Sequence, residues 1–92
     1  MLVAQRGMNN RFAVMNVLIQ QNKTSLYWRR DDSWTPHLDE ACDFGELFRA
    51  LHFIRENAIE DSKVILQSPT AIYDIFLDLK NGDTTVFRRK HV

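Results

Sequence analysis

The groups with which this chain of 92 residues could do chemistry are its histidines, its cysteine and its acids, and their spacing decides against a reaction centre. His52 and Glu56 are four residues apart, the spacing of neighbours on one helix face, where such a pair is worth about 0.3 kcal/mol and needs no further role. Asp31 and Asp32 are adjacent. A calcium loop needs oxygen ligands at alternate positions, a central glycine and a distal glutamate, and none of that spacing follows them. His37 and Cys42 lack the second pair that a zinc site requires. Cys42 is the only cysteine, which excludes an internal disulfide and fits a reducing, cytoplasmic setting. Its neighbours Asp39, Glu40 and Asp43 disfavour a reactive thiolate, so it is expected to pack as a small apolar residue. Asp74 and Asp78 on one strand face would stand roughly 13 Å apart, too far for a glycosidase carboxylate pair. Gly7, Gly45 and Gly82 are isolated and form no phosphate loop, and no serine lies in a nucleophile elbow. The expectation is a non-enzymatic protein with no cofactor and no metal.

Two surfaces have a claim on binding. Phe53 falls on the polar side of an otherwise clean amphipathic helix, one turn beyond Arg49. It is either an exposed aromatic partly covered by Arg49 or a loop, or a partner anchor, since aromatic residues and Arg are enriched where interfaces bind most tightly. The second surface is basic and aromatic. Tyr27, Trp28, Arg29 and Arg30, joined by Arg88, Arg89 and Lys90, could stack bases and contact phosphates. Formal net charge is zero, which weakens the nucleic-acid alternative, but the zero conceals a pattern. Residues 1–30 carry +5, residues 31–83 carry −8 and residues 84–92 carry +3. Either basic strands and an acidic middle neutralise each other within the fold, or the two basic ends combine into one positive patch.

The element that must position these groups is the helix within 34–59, WTPHLDEACDFGELFRALHFIRENAI. Asp43 and Glu46 have capping-box spacing, and about 15 helical residues are expected after the cap. At roughly 100° per residue, Phe44, Leu47, Phe48, Ala50, Leu51, Ile54, Ala58 and Ile59 share an apolar arc. Before it, residues 12–21, FAVMNVLIQQ, read as a strand apolar on both faces. Ala13, Met15, Val17 and Ile19 lie to one side, and Phe12, Val14 and Leu18 to the other. Asn22-Lys23-Thr24 fits a hairpin turn and Ser25–Arg30 the returning strand. Asp31-Asp32-Ser33 is a turn. Trp34-Thr35 can resume the strand before Pro36, with Trp34 as a lid over the helix start. After the helix, Lys63–Gln67 is a short strand. Residues 69–80 fit two patterns: a helix begun at Ser68-Pro69, or a strand in which Tyr73, Ile75, Leu77 and Leu79 alternate with acids. The strand is favoured because Asn81-Gly82 is a strong hairpin signal and Thr84–Arg89 supplies the partner.

The result is an α+β two-layer fold, ordered β-β-α-β-β-β. Its antiparallel sheet of four to five strands has one amphipathic helix on one face. Residues 10–89 form the domain, residues 1–9 and 90–92 are tails, and Met8 is an alternative start to Met1. No apolar run approaches the roughly 20 residues of a membrane helix. One helix covers one sheet face, so apolar side chains on the other should stay open, enough to call for a partner. The expected function is therefore a self-associating interaction or regulatory module, a symmetric homodimer through the open sheet face or an edge strand. Phe53, Arg49, Phe12, Val14, Leu18 and Phe76 are the candidate interface.

Overall fold

The computed structural model describes residues 16–89. One α-helix packs on a six-stranded antiparallel sheet, so the expected α+β, two-layer architecture stands with a higher strand count. The strands are β1 (Asn16–Gln21), β2 (Tyr27–Trp28), β3 (Trp34–Thr35), β4 (Ser62–Gln67), β5 (Ile72–Leu77) and β6 (Thr84–Arg88), and the helix α1 is Leu47–Glu56. Spatial order is β3-β2-β1-β4-β5-β6. Two three-strand meanders are thus joined at the centre by β1 and β4, and α1 lies in the connection between them.

Burial follows the register. Ile19, Val64, Ile75 and Val86 form one row across β1, β4, β5 and β6. The first three are fully or nearly fully buried beneath α1, together with Val17, Ala50 and Ile54. The neighbouring row on the reverse face is Leu18, Ile65, Asp74 and Phe87. Leu18 and Ile65 are also buried. The row is thus partly buried and partly open, Phe87 being exposed. Asp74 interrupts it, with Lys63 Nζ 3.7 Å from one carboxylate oxygen and Arg89 bonded to both. A face with three charges at its middle is costly to desolvate against a second sheet.

The helix departs from its expected form at both ends and in its roll. It has 10 residues, and Glu46, not Asp43, is the cap, without a side-chain capping bond. Asp43 is engaged elsewhere: its Oδ1 accepts from Val17 N–H and Gly45 N–H, both at 3.0 Å. Phe44 N–H donates to Val17 C=O at 2.8 Å. Residues 43–44 therefore satisfy the side of β1 that the short β2 does not reach, and Gly45, at φ +83°, turns the chain into the helix. At the other end Ile59 N–H reaches Ile54 C=O, Ala58 N–H reaches Arg55 C=O, and Ala58 adopts φ +48°. That is a Schellman ending with alanine in the left-handed position. The roll is the larger correction. Phe53 points inward and Phe48 outward, at 76 % exposure. The buried face is turned by somewhat less than one residue step of roughly 100°.

The cause lies in the first meander. Trp28 and Trp34 meet edge to face at 5.2 Å between ring centroids, and Phe53 lies 5.4 Å from Trp28 and 5.2 Å from Phe44. Strands of two residues cannot hold themselves by backbone bonds alone. Their aromatic side chains bind them to α1, and α1 rolls to meet them. Trp34 is thus a strand residue within this cluster, paired with Trp28 in β3. Ser25–Arg30 is shorter as a strand than expected because Ser25 and Asp32 take positive φ and Arg29 N–H bonds Ser33 C=O in a tight turn.

The 69–80 ambiguity resolves to the hairpin. Ser68 does cap, but it closes a loop: its hydroxyl accepts from Thr70 and Ala71 N–H and donates to Ala71 C=O. The connection between β5 and β6 is longer than a two-residue turn. Asp78 accepts from Lys80 and Asn81 backbone N–H and from the Asn81 amide, while Gly82, at φ +78°, donates to Asp78 C=O.

Candidate interaction surface

Among the described residues the candidate interface residues do not form one surface. Phe53 belongs to the aromatic cluster, which corrects its expected place on the polar side. Arg49 is exposed on the outer side of α1. Leu18 is 3 % exposed and so presents nothing. Phe76 is half-buried, with Phe87 edge-on at 5.9 Å and Lys63 over its ring at 5.8 Å. Phe12 and Val14 lie outside the described residues.

The basic and aromatic residues are likewise divided. Tyr27 and Trp28 are on β2 and Arg88 is on β6, with β1, β4 and β5 between. Four strand spacings separate the two ends by roughly 19 Å. Trp28 is packed against the core. Arg29 is engaged by Asp31 at 3.5 Å and Glu40 at 3.6 Å, and Arg89 by Asp74. The Ser33 hydroxyl, 2.7 Å from the Asp31 carboxylate, holds that acid below its ordinary range, and the Arg29 charge adds to the effect. Arg30 and Arg88 are exposed, one at each end of the sheet, and Lys90 lies outside the described residues. Among the described residues the basic groups of the two ends therefore do not meet in one patch. His52 and Glu56 are 4.0 Å apart on the outer side of α1, as their spacing implies. Among the described residues no three His, Cys, Asp or Glu side chains converge as a metal site would need.

What the structure does expose is the second meander. All five residues of β6 are exposed, Val86 at 56 % and Phe87 at 55 %. Because α1 rolls toward β2 and β3, it lies mainly over β1 and β4, reaches β5 at Ile75, and leaves the end of the β5–β6 hairpin beside it. The gap is a groove of about 730 Å³. Its apolar lining is Leu47, Phe48 and Leu51 of α1 with Leu77 of β5; Thr84 of β6 closes the far side. Arg49, His52 and Arg55 stand along the helix wall. Sequence reasoning placed Phe48 in the core arc, where it is in fact exposed, and so missed the groove, while Leu51 does pack against the core as expected. Phe53, expected on the polar side, takes the inward place that Phe48 gives up.

Among the described residues no helix is long and apolar enough to cross a membrane. No protein-family model matches the chain, and neither the curated proteins nor the solved structures contain a match.

Proposed function

We propose that this chain is a small non-enzymatic interaction module that assembles with itself, edge to edge, through β6. The observation that carries the proposal is the edge of β6, five exposed residues long and unpaired among the described residues, with Val86 and Phe87 open. Such an edge is a template for another strand unless it is short, charged or covered.

The register with β5 tells which groups are free. Arg89 N–H bonds Ile72 C=O. In an antiparallel ladder bonded and non-bonded pairs alternate, so Phe87 and Thr85 bond β5. Thr84, Val86 and Arg88 therefore direct their backbone groups outward. A two-fold axis at Val86 would place Val86 against Val86 of a second copy. Thr85 would then face Phe87, Thr84 would face Arg88, and Asp83 would face Arg89. Every cation in that arrangement meets a neutral or opposite partner, which favours cross-strand pairing, and a two-fold is the commonest oligomer symmetry.

Light scattering after size exclusion at micromolar concentration tests the proposal. Twice the 10.8 kDa chain mass is expected; a clean 10.8 kDa species overturns it. Nucleic-acid binding has less support, because the basic residues are split between the two ends of the sheet and Arg29 and Arg89 are already paired.

A further inference from the structure

We infer that the groove between α1 and the β5–β6 hairpin is a docking site for an acidic, amphipathic peptide segment of another protein. The site shares only Thr84 with β6, and the inference does not depend on self-association.

The floor and one wall are apolar. Leu47 and Leu51 are one helical turn apart, facing Leu77 across the gap, and Phe48 stands at the rim almost wholly exposed. An aromatic ring left three-quarters in water beside an apolar trough is the kind of group that becomes buried on binding. The volume falls in the range of a true binding cleft.

The charge says what kind of partner fits. Arg49 and Arg55 stand six residues apart along the helix wall, roughly 9 Å of axis. Arg49 and Arg55 make no ion pair among the described residues. Arg55 lies by the open side of Gly82, where an added Cβ would stand 3.8 Å from its Nη2. One acid, Glu46, stands at the opposite end of the groove. Cations spread along a line cannot all be met by the single head group of a small amphiphile. A polypeptide with apolar residues on one side and several acids on the other can meet them while covering the trough, the helix-in-groove mode. This chain's own remaining segments do not complement the site: residues 1–15 contain Arg6 and Arg11 and residues 90–92 contain Lys90, with no acid in either.

The test is fluorescence polarisation of a labelled 14-residue probe with Leu at helical spacing and Glu on the other side, titrated with the full chain. A control probe carries Lys at every Glu position. Saturable binding in the micromolar range is expected, weakened at least tenfold by Arg55→Glu and by raising salt from 50 to 300 mM. Arg55→Glu combined with Arg49→Glu should instead bind the Lys probe better than the wild-type chain does. Val86→Pro, which removes an outward backbone donor of the β6 edge and adds no charge, should leave probe binding unchanged. The inference is overturned by equal affinity for the two probes, by no binding at 200 µM chain, by indifference to Arg55→Glu, or by loss of binding in Val86→Pro.

Discussion

The two edges of the sheet belong to the same chain and manage the same physical problem in opposite ways. The β3 edge has two residues, is followed at once by Pro36, and ends on Thr35, which is 2 % exposed. The Thr35 hydroxyl donates to Glu40 and accepts from His37 N–H, so the chain folds back over that end. The aromatic cluster then binds β2 and β3 to the helix. The β6 edge has five residues, all exposed, and no proline. Short, proline-flanked edges resist further strand addition, while long exposed ones invite it. One end of the sheet is thus held by side chains and the other by backbone bonds and a charge cluster. The helix cannot cover both, and the tryptophans decide which one it covers.

The comparison can be broken first at the covered end. Trp34→Ala removes the ring that secures β3 to Trp28 and should cost about 3 kcal/mol of unfolding free energy, read by urea denaturation. A loss below 1 kcal/mol would mean that the aromatic cluster does not hold that edge. At the open end Val86→Lys should leave the urea midpoint unchanged but weaken self-association at least tenfold, about 1.4 kcal/mol, read by analytical ultracentrifugation. Like charges would then face each other at the two-fold. An unchanged dimer would place the interface elsewhere. Asp43→Ala removes the acceptor that completes β1 beside the short β2 and should cost about 1 kcal/mol; equal stability to wild type would remove residues 43–44 from the account of the covered half. The smallest effect is a gain. Ala58→Gly relieves a left-handed alanine at the helix end and should add about 0.5 kcal/mol with no change in association. If stability and association rose together, the edge would not be independent of the rest of the fold.

How far the sequence anticipates this structure depends on whether a residue's fate is decided locally. β1 and β4 are short runs apolar on both faces, as central strands are, and Asn81-Gly82 with the Thr-rich segment after it does mark a hairpin. The helix is also visible in its periodicity, but its roll is not. Phe53 lies on the polar side of that periodicity, and what brings it inward is Trp28, twenty-five residues away in the chain. The capping box at Asp43 fails for a similar reason: the backbone of β1 competes for the same carboxylate. Likewise Asp74 reads as one alternating acid among several until the register brings Lys63 and Arg89 to it. The basic residues 29–30 and 88–89 invite combination, and only strand order shows that three strands lie between β2 and β6.

The placement of Asp74 has a consequence for amide exchange with solvent. Its carboxylate reaches across β4 and β6 at once, through Lys63 and Arg89. A slip of β6 by one residue would carry Arg89 to the other face of the sheet and break that contact. The register is therefore pinned although every side chain of β6 is exposed. In dilute chain the amides of Thr85 and Phe87 should exchange slowly, while those of Thr84, Val86 and Arg88 exchange at nearly the rate of an open strand. The strand carries a comb of alternating protection, and a second copy on its edge would fill in the missing teeth.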